Sequence, residues 1–124
     1  MTQLTALDLS HYKIQDISLL SNLTKLTSLA FEMSHIQDIS ALRNLTQLTS
    51  LDLSYNEIQD ISALENLIQL TDLNLSHNEI QNISPLATLE NLETLYLRGN
   101  PITQANINWL KSKLPNCEIV YYDY

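Results

Sequence analysis

The chemically reactive side chains of this 124-residue chain are few and widely spaced. They include three histidines and one cysteine, namely His11, His35, His77 and Cys117. His11 and His77 occupy equivalent positions three strands apart, and about 14 Å between them is too far to share one metal ion. No histidine lies near Cys117 in the sequence, and no Ser–His–Asp arrangement is supported by position. We therefore expect a protein that is not an enzyme, with no catalytic residue, no metal ligand and no cofactor.

The composition excludes further classes of function. One glycine, where average usage would give about nine, leaves no Gly-rich loop to hold phosphates. One cysteine leaves no disulfide framework and no Cys-rich zinc site. Fourteen acidic and six basic residues give a net charge of -8, which disfavours nucleic acid as a partner.

Targeting segments are also missing from the printed sequence. No apolar run approaches about 18 residues, so we expect no membrane span. Residues 1–20 lack the basic segment and apolar stretch of a signal peptide. Together with the single free cysteine, this favours a cytoplasmic location.

The chain is built from a repeat of 22 residues with constant spacing. The copies begin at Leu4, Leu26, Leu48, Leu70 and Leu92. The consensus of the copies is L-x-x-L-x-L-x-x-N-x-I-x-D-I-S-x-L-x-N-L-x-x, and the seven apolar positions of the four complete copies are all Leu, Ile or Phe. The Leu-x-Leu spacing predicts a short strand with both leucines on one face. The later steps of three predict a 3₁₀ turn. Stacked copies would share one core and one parallel sheet.

Three polar positions recur with the same period, and we expect each to serve the backbone. The asparagines after the strands should bond adjacent turns, the aspartates before Ile-Ser should accept from free N–H groups, and the serines should cap the helical returns. They are Asn56, Asn78 and Asn100; Asp16, Asp38 and Asp60 with Asn82; and Ser18, Ser40, Ser62 and Ser84.

This pattern resembles the leucine-rich repeat family, in the 22-residue class of the bacterial internalins and the leucine-rich regulatory subunit of protein phosphatase 1. The resemblance covers residues 1–102, although Tyr12 and Ser34 stand where asparagine is expected. It implies an α/β fold, a right-handed curved solenoid with a parallel sheet on its concave face and short 3₁₀ returns on its convex face. It also implies a role in binding proteins.

The C-terminal end reads as a helix–strand cap over residues 103–124, which follows five repeats in residues 1–102. Thr103 can cap a helix through about Lys113 that buries Ile107, Leu114 and either Trp109 or Leu110. We expect Trp109 to cover the core and Cys117 to be a small buried filler. A last strand should run from Cys117 to Tyr122.

The concave face is the predicted binding surface. Residues 1–98 hold twelve acidic and four basic residues, whereas residues 99–124 hold two of each, so the charge imbalance lies in the repeats. This favours a basic protein partner, although the acids could serve only solubility. The predicted binding residues are Asp8, Glu32, Met33, Asp52, Tyr55, Asp72, Asn74, Tyr96 and Arg98.

The N-terminal edge suggests an alternative function. Met1 aligns with the last leucine of a preceding copy that the printed sequence does not contain, and terminal repeats need a polar cap. The side chains expected to face this missing neighbour are Leu4, Leu7, Leu9, Ile14 and Ile17. An assembly element, either a homodimer through this edge or a piece of a longer solenoid, is therefore the alternative to concave-face binding.

Overall fold

Six short strands form one parallel sheet in chain order in the computed structural model, which describes residues 3–12 and 16–121. The strands are β1 (Ala6–Asp8), β2 (Ser28–Ala30), β3 (Ser50–Asp52), β4 (Asp72–Asn74), β5 (Thr94–Tyr96) and β6 (Glu118–Val120). Neighbouring repeats pair in the same register, so that Leu29 lies opposite Leu51 and Leu51 opposite Leu73. The predicted solenoid is confirmed, and six strands span about 24 Å. The last strand forms where it was predicted but is shorter than Cys117 to Tyr122, since it covers Glu118–Val120, and Tyr122 lies outside the described residues.

The strands form because one leucine of each points into the core. Leu51, at the centre of β3, is buried, and Leu53 is buried as well although it lies just beyond the strand. The two leucines therefore face the same way, as their spacing predicts, but the strands are only three residues long. All seven apolar positions are buried in the second, third and fourth copies.

Within the described residues, four 3₁₀ helices return the chain on the opposite side of the core, at Ser18–Asn22, Ser40–Leu42, Ser62–Leu64 and Ser84–Thr88. In the third copy the amide of Leu64 donates to the carbonyl of Ile61, and that of Leu67 to Leu64, both at 3.0 Å. The apolar steps of three match this geometry because residues three apart share one side of a 3₁₀ helix. The predicted turns are confirmed.

A short polar side chain two residues before each return accepts a bond from its first N–H group, as predicted. The Oδ1 atom of Asp60 accepts from the backbone N–H of Ser62 at 2.9 Å. The same bond forms at Asp16, Asp38 and Asn82. The prediction that the serines are the caps is wrong, because each serine is the first helical residue and receives the cap from two residues upstream.

The buried asparagines join adjacent turns. Nδ2 of Asn78 donates to the carbonyls of Leu53 and Leu75 at 2.9 and 3.1 Å, and its Oδ1 accepts from the N–H of Ile58 at 3.1 Å. Asn56 and Asn100 make the corresponding bonds. The predicted role of this column is confirmed, and Ser34, which replaces one asparagine, is buried as well.

The C-terminal cap contains a helix, α1 (Gln104–Lys113), that packs beside the fourth return. Thr103 Oγ1 accepts from the N–H of Asn106 at 3.2 Å, so the predicted helix cap is confirmed. Ile107, Leu110 and Leu114 are buried, whereas Trp109 is 37% exposed. The prediction that Trp109 covers the core is therefore wrong, because Ile107 and Leu110 take the inward side of the helix.

The apolar side chains of the first turn differ in how far they are buried. Leu4, Leu7 and Leu9 are half-buried, but Ile17 is only 3% exposed. The expectation that Ile17 faces a missing neighbour is therefore wrong, since the return it leads into packs against Ser40–Leu42. Ile14 lies outside the described residues. The division of the chain at residue 102 stays a prediction.

Candidate functional site

The strand residues on either side of each central leucine point away from the core and form what we call the outer face. One column runs in register from Asp8 through Ala30, Asp52 and Asn74 to Tyr96. Asp8, Asp72 and Tyr96 are exposed, while Asp52 and Asn74 are half-buried. The sheet therefore brings five of the nine predicted binding residues onto one surface. Whether they bind a partner stays a prediction.

The polar side chains of the central column also support the backbone, which the sequence interpretation missed. Asp8 Oδ1 accepts from the N–H of Ser10 at 2.9 Å, and Asp52 Oδ1 accepts from the N–H and Oγ of Ser54 at 3.0 and 2.7 Å. Asn74 makes the same backbone bond to Ser76. The bond from Ser10 holds the pKa of Asp8 below its usual value of 3.8. At Asp8 and Asp52 the turn bond uses one carboxylate oxygen.

Glu32 and Arg98 lie in the column beside the outer face, and the column includes buried residues. They share a column with Ser10, Ser54 and Ser76, at the point where the chain leaves each strand. Ser54 and Ser76 are buried, and Glu32 and Arg98 are half-buried. This column lies at the margin of the candidate surface because the chain turns towards the core after the strand.

The residue that follows this column has a left-handed backbone in each of the five turns, and we call the series the rim ladder. It consists of His11, Met33, Tyr55, His77 and Gly99, with φ between 59° and 73°; His35 in the second turn also has a positive φ, of 59°. The backbone N–H groups of the first four members pair with the next turn; for example, Tyr55 donates to the carbonyl of Ser76 at 2.9 Å. Met33 and Tyr55 are 48% and 49% exposed. The ladder thus presents large side chains along the edge of the outer face.

Tyr55 and His77 stack within the rim ladder, with ring centroids 4.4 Å apart and an interplanar angle of 16°. The His77 ring lies where a Cβ on residue 99 would be, so the turn at Gly99 accommodates it only as glycine. The lone glycine in this column was the signal that could have indicated left-handed backbone there. The stack itself depends on side-chain orientation, which the repeat spacing does not specify.

A shallow hollow of about 330 Å³, which we call the rim depression, lies beside this stack. It is lined by Met33, His35, Tyr55, Asn56, Glu57 and His77. Glu57 Oε2 lies 3.0 Å from His35 Nδ1, and Glu57 Oε1 accepts from Gln37 Nε2 at 3.1 Å. These bonds lower the pKa of Glu57. The sequence interpretation selected Met33 and Tyr55 but missed His35, Glu57 and His77.

Reactive groups are not assembled in the part of the chain that the structure describes. Within residues 3–12 and 16–121, no three His, Cys, Asp or Glu side chains are grouped closely enough to hold a metal ion. Cys117 is half-buried, and burial raises the pKa of its thiol to about 11. A thiol of that pKa is protonated at neutral pH and is a poor nucleophile. No helix in these same ranges is long and apolar enough to cross a membrane.

Two family models match the chain. One, described as leucine rich repeats in two copies, matches residues 68–116, and a second leucine rich repeat model matches residues 32–80. No curated protein sequence shows significant similarity to the chain.

Solved structures resemble the whole chain. Internalin C2 of Listeria monocytogenes is 29% identical with a TM-score of 0.88, over 97% of this chain and 54% of its own. Internalin F of the same organism is 31% identical with a TM-score of 0.70, over 98% and 42%. A leucine-rich repeat protein of Leptospira interrogans, 22% identical with a TM-score of 0.71 over 96% and 37%, shows the fold alone.

This chain spans about half of the internalin C2 chain and less of the others. Leucine-rich repeats are typical scaffolds for protein–protein interaction, and proteins of this kind are generally not enzymes. The 22-residue register, the parallel sheet and these matches agree, and the chain therefore belongs to the leucine-rich repeat family, within which it resembles the bacterial internalins.

Proposed function

We propose that the chain binds a protein partner through its outer face and rim ladder, and that the partner presents basic groups. The observation that carries the proposal is the in-register sheet, which sets Asp8, Asp52, Asp72 and Tyr96 on one accessible surface. A surface about 24 Å wide can accommodate an interface of about 800 Å² per partner.

Charge supports a basic partner. The whole net charge of -8 is carried by residues 1–98, which include the carboxylates of the outer face. Such a surface speeds the approach of a positively charged protein, and added salt weakens that effect. Tyr96 on the outer face and Tyr55 on the rim supply aromatic side chains of the type that anchor interfaces.

Site-specific crosslinking would test the binding surface. A photoreactive amino acid placed at Asn74, in the middle of the outer face, should form a crosslink to the partner. The same amino acid placed at Gln69 is the control and should not. Gln69 is exposed but lies outside the sheet. Equal capture from the two positions would contradict binding at the outer face.

Charge variants would then test the character of the purified partner. The triple variant D8N, D52N and D72N removes three outer-face charges, and Asn74 shows that asparagine preserves the turn bond. Its matched control is E65Q, E79Q and E90Q, exposed residues outside the strands. We expect the first variant to slow association about tenfold at low salt and to flatten its salt dependence. Equal effects of the two variants would show that only net charge matters.

A further inference from the structure

We propose that the rim depression receives an arginine side chain of the partner, with the guanidinium stacked on Tyr55 and paired with Glu57. This inference rests on the proposed function, because the arginine belongs to the basic partner. It adds a specific anchoring site beside the outer face, in a hollow that the acidic sheet residues do not line.

Tyr55 offers one ring face to such a group. Its other face is covered by His77, at a centroid distance of 4.4 Å. Since the rim ladder runs from Met33 through Tyr55 to His77, the second face of Tyr55 is turned towards the preceding turn, where Met33 and Tyr55 line the same hollow. Both side chains are about half exposed. A planar cation can stack on an aromatic face, and the flexible Met33 can adapt its position.

Glu57 supplies the opposite charge at the same place. Its side chain is 40% exposed, and each oxygen already accepts one bond, from His35 or from Gln37. A carboxylate oxygen can accept a second donor, so both remain able to bind a guanidinium. Residues 26–97 contain one basic residue, Arg43, which lines a different hollow with Asp38 and Asp60. Neither lysine nor arginine is among the residues that line the rim depression, so the chain places no permanent positive charge in its lining.

The chemistry of the hollow favours arginine over other side chains. An apolar group would bury the charged carboxylate of Glu57 without bringing a positive charge to it, which is unfavourable. Lysine could pair with Glu57, but its ammonium lacks the flat surface that stacks on Tyr55. Arginine satisfies both features at once.

The backbone supports a role for these exposed side chains. Residues other than glycine are uncommon at positive φ, and histidine tolerates this region better than most, so Met33 and Tyr55 are the unusual members of the rim ladder. Gly99 shows that this turn can be built without a side chain. Met33 and Tyr55 therefore lower the intrinsic preference for the turn, and a surface contact of their side chains offsets that cost in our proposal.

NMR titration of the full chain at pH 7.5 would test the site with the peptide acetyl-Gly-Arg-Gly-amide. Its matched probe is the same peptide with citrulline, which has a planar but uncharged end group. We expect saturable shifts of the Met33 methyl and of the Tyr55 and His77 rings. Compared with the arginine peptide, the citrulline peptide should bind about fivefold more weakly or worse. The corresponding lysine peptide should bind about threefold more weakly.

Matched variants locate the binding. Tyr55→Ala and Glu57→Gln should each weaken the arginine peptide about two- to fivefold. Tyr12→Ala and Glu79→Gln, both exposed and outside the hollow, should leave it unchanged. Glu57 is partly exposed, so E57Q remains informative if the Tyr55 variant is unstable.

Three results would overturn the inference: equal binding of citrulline, equal effects of the matched variants, or absence of shifts at Met33 and Tyr55. Shifts confined to Asp52 and Asp72 would place the cation on the outer face and leave the proposed function intact. Failure of the proposed function is a separate result, seen when Asn74 and Gln69 crosslink a partner equally.

Discussion

Asn78 binds the backbone of Leu53, a residue of the preceding turn, through an Nδ2–carbonyl hydrogen bond of 2.9 Å. The same side chain accepts from the N–H of Ile58 at 3.1 Å and donates to Leu75 in its own turn. One buried amide thus bonds three backbone groups in two turns, and the carbonyls of Leu53 and Leu75 each accept a second bond, from Asn56 and Asn100.

Replacing Asn78 by alanine should lower the free energy of unfolding by about 1–3 kcal/mol, because the buried N–H of Ile58 loses its partner and the carbonyls of Leu53 and Leu75 each lose one of two donors. Asn66→Ala, at an exposed asparagine of the third copy, should change it by less than about 0.5 kcal/mol. Urea denaturation of both variants measures the difference. Equal losses would mean that the asparagine bonds add nothing specific to the stack.

Leu53→Ala should cost about 2–5 kcal/mol, since the side chain is fully buried and its removal leaves a cavity. Leu19→Ala is the matched control, because Leu19 is 86% exposed on the first return. Chemical denaturation gives both values. A loss below about 1 kcal/mol for Leu53 would contradict the strand register described above.

Gly99→Ala should destabilise the chain by more than about 1 kcal/mol, because residue 99 has a φ of +73° and the new methyl group meets the His77 ring. The two causes can be separated in a double-mutant cycle with His77→Ala. In the His77→Ala variant, Gly99→Ala should no longer cause a clash, and its remaining destabilisation should reflect only the positive φ of residue 99. Additive effects of the two changes would show that the ring moves aside freely.

The aspartate caps should make the fold sensitive to acid. The backbone bond from Ser62 lowers the pKa of Asp60 below 3.8 in the folded chain, and the nearby Arg43 lowers it further while Asp38 raises it. A carboxyl whose folded pKa is lowered stabilises the fold above its unfolded pKa, near 3.9. That contribution is lost as the pH falls through 3.9 towards the folded value.

Asp60→Asn should therefore flatten the loss of stability between about pH 5 and pH 2.5, since asparagine keeps the acceptor and does not titrate. Asn82→Asp is the reciprocal control, because Asn82 makes the same bond to Ser84. Asn82→Asp should make the loss of stability with falling pH steeper. Urea midpoints measured across this range test both variants, and unchanged slopes would argue against the caps as the acid-sensitive groups.

The apolar positions could be predicted from the sequence because a 22-residue period specifies which side chains face inward. Leu53, Ile61 and Leu64 are buried for that reason alone. The hydrogen bonds of Asn78 and Asp60 to the backbone could also be predicted from the sequence, because the repeat places each short polar side chain next to a backbone group of known position.

The candidate site was less predictable because it depends on contacts between turns rather than on the period. Nothing in the spacing specifies that Tyr55 stacks on His77 or that Glu57 meets His35. The turn bond of Asp52 was missed because an outward-facing carboxylate appeared free to bind a partner. Trp109 was misplaced because helix spacing left it and Leu110 as alternatives for the inward side.

The constant register makes one turn a unit that gene duplication or deletion can add or remove whole. Excision of residues 48–69 would join Gln47 to Leu70 and place Leu73 opposite Leu29, in the pairing that Leu51 now makes. Asn78 would then occupy the place of Asn56 and meet the N–H groups of Ser34 and Ile36. The width of the outer face can thus change in steps of about 4.8 Å while each remaining turn keeps its bonding pattern.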